Sequence, residues 1–257
     1  MPQTLLALNW KMNKTPTEAA AWAKRLQEEL PPSSASLAVM VPHTALSLVA
    51  SEIYGSSAYL GAQDLSQHES GAYTGETSAA MLEDIGVKYV LVGHSERREY
   101  HFETDQIVNA KAKKALEHGI KPIVCVGEKL EVRDKGEHVE FTVRSLKASL
   151  DKIKISQPSE LVVAYEPVWA IGTGKTATSA DAEEMAKAIR RVLEQLYPQH
   201  SSEIVIQYGG SVKPDNIADI CGQPNVNGAL VGGASLNLES VFALLEALGE
   251  KNHTQSF

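Results

Sequence analysis

The chain contains few cysteines and no long hydrophobic segment. Of its 257 residues only Cys125 and Cys221 are cysteines, too few for a disulfide framework, which favours a reducing compartment. No apolar run approaches the roughly 18 residues that a transmembrane helix needs. Residues 1–4 lack the basic stretch of a secretory signal peptide. These absences predict a cytoplasmic protein that does not span a membrane.

Positive charge is also scarce. Lys and Arg together number 24 against 32 Asp and Glu, which gives a net charge of -8. A chain of this charge repels nucleic acid and anionic membranes unless a local patch reverses the sign, so we expect neither as a partner. An anionic ligand would have to be drawn in by a focused site, because the overall field opposes it.

Short apolar segments recur along the chain at nearly regular intervals. They begin near Leu5, Leu37, Tyr59, Tyr89, Pro122, Leu161, Ile204 and Gly228. Several are almost continuously apolar, which is typical of parallel strands buried on both faces. The spacing of about 32 residues per unit predicts an α/β fold, a (β/α)8 barrel. A doubly wound open sheet is the alternative. The length and the absence of a linker favour one closed barrel domain over residues 1–257.

Helical patterns lie between the apolar segments. The clearest cover residues 17–30, 105–118, 179–197 and 239–248. Thr17 and Ser179 are the predicted N-caps, and Gly119 and Gly249 are the predicted stops. The charged residues 128–137 are predicted to form a solvated loop and a helix start.

Polar residues and glycine pairs follow five of the predicted strands. They are Asn9 and Lys11 after the first, His94 after the fourth, Glu166 after the sixth, Gly209, Gly210 and Ser211 after the seventh, and Gly232 and Gly233 after the eighth. In such a barrel the active site lies at the carboxyl ends of the strands, and glycine turns let backbone N–H groups approach a phosphate. Each residue alone has a simpler structural explanation as a turn, cap or surface residue. Together they predict acid–base chemistry on a small phosphorylated substrate.

The segment from Gly172 to Thr176 resembles nucleotide-binding loops, but the match fails. Trp169 stands where the phosphate-loop pattern needs a glycine, and six residues separate the segment from its strand. We interpret residues 167–177 as a mobile segment over the site. No His, Cys and Asp cluster has metal-ligand spacing, so we expect no metal and no cofactor. Cys125 is predicted to be a packed thiol.

Seven stretches carry a family resemblance. They are residues 9–13 (NWKMN), 61–63 (GAQ), 71–80 (GAYTGETSAA), 93–98 (GHSERR), 164–175 (AYEPVWAIGTGK), 208–212 (YGGSV) and 230–235 (LVGGAS). With these stretches in order, the chain resembles the triosephosphate isomerase family along essentially its whole length. The resemblance implies a TIM barrel that interconverts dihydroxyacetone phosphate and D-glyceraldehyde 3-phosphate through an enediolate, in glycolysis and gluconeogenesis.

The resemblance also implies a role for each matched residue. Glu166 is the base that removes a carbon-bound proton, and His94 is the uncharged electrophile that moves protons between the two oxygens. Nearby backbone N–H groups at the start of residues 95–98 would disfavour the imidazolium form of His94. Lys11 is the third catalytic residue implied, because it lines the site and brings positive charge to the phosphate and to the developing enediolate oxygen. The remaining residues implied at the site are Asn9 as a lining group, Gly172, Ser211, Gly232 and Gly233 as phosphate ligands, and Glu96 as an acid near Lys11 and His94.

Residues 63–77 form a long predicted loop, which suggests a function of its own. The resemblance implies that this loop docks into a second subunit of a homodimer, with Thr74 near its tip. Two other functions stay open: a different phosphate-binding barrel enzyme, such as an indole-pathway isomerase or an aldolase, and a catalytically inactive barrel that only binds. The clear strand segments carry no inward lysine for a Schiff-base aldolase. An inactive barrel need not keep Glu166, His94 and Lys11 together.

Overall fold

The computed structural model describes residues 3–171 and 177–249 of the chain. In these residues, eight parallel strands pair in chain order, and β8 pairs back to β1, with Leu6 opposite Ala229. The strands are β1 (Leu5–Asn9), β2 (Ser36–Val41), β3 (Ala58–Ala62), β4 (Tyr89–Val92), β5 (Lys121–Val126), β6 (Val162–Tyr165), β7 (Val205–Tyr208) and β8 (Gly228–Val231). The closed barrel confirms the predicted (β/α)8 fold and excludes the open sheet.

Helices cover the outside of the barrel. They are α1 (Pro16–Glu29), α2 (Leu46–Glu52), α3 (Ala79–Asp84), α4 (Ser95–Tyr100), α5 (Asp105–Glu117), α6 (Leu130–Asp134), α7 (His138–Ser149), α8 (Ser179–Leu196), α9 (Ile217–Ile220) and α10 (Leu238–Gly249). Within residues 3–171 and 177–249, no helix has the length and apolar character to cross a bilayer.

Two predicted helix caps are wrong by a short distance. The N-cap of α1 is Thr15, not Thr17, and Thr15 and Glu18 hydrogen-bond each other in a capping box. Pro16 explains the shift, because proline fits the first helical position and makes the preceding residue the cap. Thr178, not Ser179, caps α8 in the same way. Gly119 ends α5 with a φ of 66°, as predicted, and Gly249 is the last residue of α10.

Alternate strand residues pack on opposite sides of the barrel wall. Leu5 and Ala7 of β1 point into the barrel, and Leu6 and Leu8 pack outward against the helices. Cys125 belongs to the interior set, which confirms the packed thiol. Burial raises the pKa of Cys125, so its sulfur stays protonated at neutral pH.

Residues 128–137 are largely exposed and contain the predicted helix start, α6, but Glu128 is not solvated as its charge predicts. Glu128 is fully buried, accepts a hydrogen bond from the Tyr165 hydroxyl (3.0 Å) and forms an ion pair with Arg133 (3.1 Å). The Arg133 guanidinium also lies 4.5 Å from the centre of the Trp169 ring. The charged side chains of Glu128 and Arg133 therefore contact Tyr165 at the end of β6 and Trp169 after it, and help to hold them in place.

A partly buried ion-pair network, which we call the Lys111 cluster, consists of the buried Glu103 and Lys111 and the half-buried Asp64 and Arg97. Lys111 Nζ lies 2.6 Å from a carboxylate oxygen of both Asp64 and Glu103. Arg97 reaches the same two carboxylates at 2.9 and 2.6 Å. The cluster joins α4 and α5 to the base of the loop at residues 63–77.

Candidate active site

A cavity of about 870 Å³ opens at the carboxyl ends of the strands. That size suits a small ligand. Its walls include seven residues predicted for the site: Asn9, Lys11, His94, Glu166, Ser211, Gly232 and Gly233. Gly172, which was also predicted, lies outside the described residues. Strand ends far apart in the sequence thus contribute to one cavity.

Glu166 follows β6 and is almost completely buried. Its Oε1 lies 2.9 Å from His94 Nε2, and it accepts hydrogen bonds from the Ser95 N–H and the Ser95 hydroxyl, both at 2.9 Å. Burial alone would raise the pKa of Glu166. The charge and hydrogen bond of His94 and the two bonds from Ser95 outweigh burial and lower that pKa. Glu166 is therefore a carboxylate at neutral pH.

His94 is the N-cap residue of α4, and its ring is held from both sides. Nδ1 accepts the N–H of Glu96 at 3.3 Å, so the ring proton sits on Nε2 and points at Glu166. Burial disfavours the imidazolium form, but the nearby Glu166 carboxylate favours it more strongly and raises the pKa of His94. The N–H contact expected from the sequence is present. The expected lowering of the pKa is wrong for this arrangement, because Glu166 is in direct contact.

Lys11 has a left-handed backbone with a φ of 54°, which is uncommon for any residue except glycine. Two side chains hold this conformation: Asn9 Oδ1 accepts the Lys11 N–H, and Gln63 Nε2 donates to the Lys11 carbonyl, both at 2.9 Å. Lys11 Nζ forms an ion pair with Glu96 at 2.6 Å, and Glu96 Oε2 lies 3.5 Å from His94 Nδ1. The structure therefore places Glu96 between Lys11 and His94.

The turn after β8 brings main-chain groups beside this lysine. A Cβ added at Gly232 would lie 3.5 Å from Lys11 Cε, and one added at Gly233 would meet nothing within 4 Å. Gly233 begins a short 3-10 helix, Gly233–Leu236, whose first N–H groups have no carbonyl one turn earlier. The turn therefore offers amide donors next to a cation, a combination that suits a phosphate dianion.

Sequence reasoning missed two residues that hold Glu166. Ser95 was part of a matched stretch but had no assigned role. Gly127 was not singled out, although an added Cβ would lie 2.7 Å from the Glu166 carbonyl carbon and collide with its carbonyl oxygen. The Glu166 N–H donates to the Val126 carbonyl at 2.8 Å, so the two strand ends are in close contact here. A glycine directly after the apolar run of β5 was the available signal.

Thr74 does not belong to this cavity. It lies in an exposed stretch, residues 69–76, of the loop at residues 63–77. The rings of His68 and Tyr73 stack within this loop, 3.7 Å apart and nearly parallel. Thr74 is thus a surface residue on a loop with its own internal packing.

Comparison with known proteins agrees with this geometry. The family model described as triosephosphate isomerase matches residues 4–248. A triosephosphate isomerase from Deinococcus radiodurans is 58% identical over 247 residues, which covers 96% of this chain and 99% of the relative. One from Thermus thermophilus is 53% identical, covering 97% of this chain and 100% of the relative. One from Cutibacterium acnes is 55% identical, covering 90% and 93%. The chain therefore belongs to the triosephosphate isomerase family.

Proposed function

We propose that the protein interconverts dihydroxyacetone phosphate and D-glyceraldehyde 3-phosphate, by proton abstraction through an enediolate, in glycolysis and gluconeogenesis. The observation that carries the proposal is the 2.9 Å contact between the ionised, buried Glu166 and the Nε2–H of His94. The same cavity contains Lys11 and the glycine turns after β7 and β8. A base, a proton donor, a cation and an anion cradle are the parts that this isomerisation needs.

Glu166 is the proposed base. Both of its oxygens are occupied by Ser95 and His94 in this structure, so the carboxylate must leave Ser95 to reach a carbon-bound proton. Losing two hydrogen-bond donors raises its proton affinity, which suits a base at neutral pH. The carboxylate is thus stored in an ionised form and becomes more basic as it moves to the substrate.

His94 is the proposed electrophile. Its Nε2–H would donate to the substrate carbonyl oxygen and then exchange protons between the two oxygens of the enediolate. Once Glu166 turns to the substrate, the main attraction that raises the pKa of His94 is weakened. Burial, which is the largest influence on that pKa, and the Lys11 charge both lower it and remain, opposed only by the smaller raising effect of Glu96. The imidazole therefore acts as a neutral donor in the complex.

Lys11 and the glycine turns are proposed to bind the anionic parts of the substrate. Lys11 lies beside Gly232 and supplies positive charge to the phosphate and to the developing enediolate oxygen. Ser211, Gly232 and Gly233 contribute main-chain N–H groups from the cavity wall, and Asn9 completes the wall next to Lys11. Gly172 is proposed as a further phosphate ligand from the family resemblance. Such a local site is needed because the whole chain carries a net charge of -8.

Shortening one carboxylate tests the proposal. Glu166→Asp withdraws the base by one methylene, and a misplacement of about 1 Å can cost roughly 10²-fold in rate. We expect kcat for D-glyceraldehyde 3-phosphate to fall by at least that factor while inhibition by inorganic phosphate stays similar. Glu131→Asp, the same change at an exposed carboxylate, is the matched control and should leave kcat unchanged. Normal turnover by Glu166→Asp would exclude Glu166 as the base, and an inactive parent protein would exclude the function.

We also propose that the protein is a homodimer. Three large apolar side chains are exposed on the loop at residues 63–77 or on segments tied to it: Tyr73 (43%), Met12 (96%) and Phe102 (81%). Gln63 ties the segment before Met12 to the loop at residues 63–77, and the Lys111 cluster ties the segment after Phe102 to that same loop. Their shared position supports a partner subunit covering this side of the barrel.

Sedimentation tests the dimer. We expect the parent protein to sediment as a dimer and Thr74→Arg to shift it towards the monomer, with a loss of activity because the strained Lys11 lies next to Met12. Thr4→Arg, at a position remote in sequence from the loop, is the control. A monomer that is fully active on dilution would contradict the proposal.

The domain and the compartment complete the proposal. We propose one barrel domain over residues 1–257, supported by the pairing of β1 with β8 and by a family match from residue 4 to residue 248. We propose a cytoplasmic location, supported by the presence of only two cysteines and a buried, protonated Cys125. Cell fractionation with an antibody to the protein checks the location.

A further inference from the structure

The turn between β7 and α9 is closed by the side chain of Asn216. Asn216 Nδ2 donates to the Ser211 carbonyl at 3.1 Å, and Asn216 Oδ1 accepts the Lys213 N–H at 2.8 Å. The main-chain N–H of Asn216 returns to the Lys213 carbonyl at 3.2 Å. One amide side chain therefore fixes two successive peptide units of residues 211–213.

The other end of the turn is anchored to the barrel. The Gly209 N–H donates to the Tyr165 carbonyl at 2.7 Å. Gly210 packs directly against Tyr208, since an added Cβ would collide with the Tyr208 hydroxyl. Ser211 therefore lies between a strand-side anchor and the Asn216 side chain.

This arrangement controls which main-chain groups are available at the cavity wall. Ser211, Lys213 and Asn216 all line the cavity that contains Glu166. The Ser211 carbonyl is a partial negative charge that would repel a dianion, and the Asn216 amide holds it in a fixed direction. Ser211 and Lys213 are exposed, so water competes for their main-chain N–H and carbonyl groups. The turn therefore depends on the two side-chain hydrogen bonds of Asn216 to keep a single conformation.

We propose that Asn216 is a positioning residue for the phosphate group of the substrate. It acts through Ser211, whose carbonyl it holds so that this oxygen cannot turn towards the phosphate, and it touches none of the reacting atoms. The inference rests on the proposed function and adds a determinant of substrate class. Asn216 increases the affinity for the phosphate end of the substrate and does not affect the proton-transfer steps.

Asn216→Ala removes both side-chain bonds and tests the proposal. Ordering the backbone of one residue costs enough to change affinity by about tenfold. We expect the dissociation constant for inorganic phosphate, measured by calorimetry, to rise about tenfold, and KM for D-glyceraldehyde 3-phosphate to rise equally. The kcat for this substrate and kcat/KM for unphosphorylated D-glyceraldehyde should each stay within about threefold of the parent.

Two further variants separate positioning from a general effect on folding. Gln223→Ala removes a similar hydrogen bond from a side-chain amide to a carbonyl, that of Asp219 (3.3 Å), in the segment that follows α9. It should leave the phosphate dissociation constant, KM and kcat unchanged. Asn216→Ser keeps one oxygen that can accept the Lys213 N–H, so it should recover part of the phosphate affinity even if Asn216→Ala folds poorly. Equal losses with phosphorylated and unphosphorylated substrates would show a merely structural role and overturn the proposal. Unchanged phosphate binding in both variants would also overturn it.

The readouts distinguish this inference from the proposed function. Phosphate binding by calorimetry does not depend on turnover. A parent protein that binds phosphate but does not isomerise the triose would contradict the proposed function alone. A parent that isomerises the triose, with variants that bind phosphate normally, would contradict the role of Asn216 alone.

Discussion

Gly127→Ala is the sharpest single test of how the barrel holds Glu166, the proposed base. An added Cβ would lie 2.7 Å from the Glu166 carbonyl carbon and closer still to its oxygen. Restoring an ordinary contact requires the two strand ends to separate by more than 1 Å. Both are backbone at this point, so no side chain can rotate away. The expected cost is about 1–3 kcal/mol of unfolding free energy, together with roughly a 10²-fold loss of kcat, because the base moves by about 1 Å.

Steady-state kinetics and thermal unfolding check this prediction. KM should change much less than kcat, because Gly127 does not line the cavity that holds the phosphate turns. Gly249→Ala is the control, since a Cβ there meets nothing within 4 Å. A Gly127→Ala protein with normal kcat and an unchanged melting temperature would refute the argument that close backbone contact positions Glu166.

Three other substitutions test separate parts of the electrostatics. Ser95→Ala removes a hydroxyl donor that lowers the pKa of Glu166, so the acidic limb of the kcat/KM profile should move to higher pH. Lys111→Met removes one of the two cations that pair with Asp64 and Glu103 and leaves Arg97 in place, so it should lower the unfolding free energy by about 1–3 kcal/mol in urea titrations; an unchanged unfolding free energy would contradict it. His118, whose pKa is raised by hydrogen bonds to two glutamates, stabilises the fold below its unfolded pKa of about 6.5 and loses this effect as pH rises through the folded value. His118→Gln should therefore lower the melting temperature at pH 6 more than at pH 9.

The fold could be predicted closely because its signals are local and repeated. Each of the eight strands begins within one residue of the expected position. A parallel strand in such a barrel is buried on both sides, so its sequence is a continuous apolar run that needs no knowledge of its partners. The errors in the predicted N-caps of α1 and α8 are equally local. Near each helix start, more than one hydroxyl residue could be the N-cap. The residue that caps is the one that forms a capping box, Thr15 with Glu18 and Thr178 with Asp181.

Long-range contacts could not be predicted in this way. The charges of residues 128–137 suggested a solvated surface, but Glu128 is buried because Tyr165, 37 positions further along the chain, meets it. The sequence does not show why Gly127 has to be a glycine, because the reason is the Glu166 carbonyl that packs against it in the fold. The direction in which the pKa of His94 shifts depends on the Glu166 carboxylate, which is 2.9 Å away and follows a different strand. Residue types and spacing predicted which groups share the cavity, and only the structure shows which of them touch.

In the proposed function, the contacts of Glu166 and those of the turns after β7 and β8 belong to one mechanism. In this structure His94 and Ser95 together stabilise the carboxylate as an ion and occupy both of its oxygens. Leaving that arrangement costs free energy, and three hydrogen bonds must be replaced. Binding of a remote, non-reacting group is the usual source of free energy for such a change. In the proposed function the phosphate is that group, because the turns after β7 and β8 that are proposed to bind it line the same cavity as Glu166. A substrate without phosphate should therefore lose kcat as well as affinity, since it cannot draw the base out of its resting contacts.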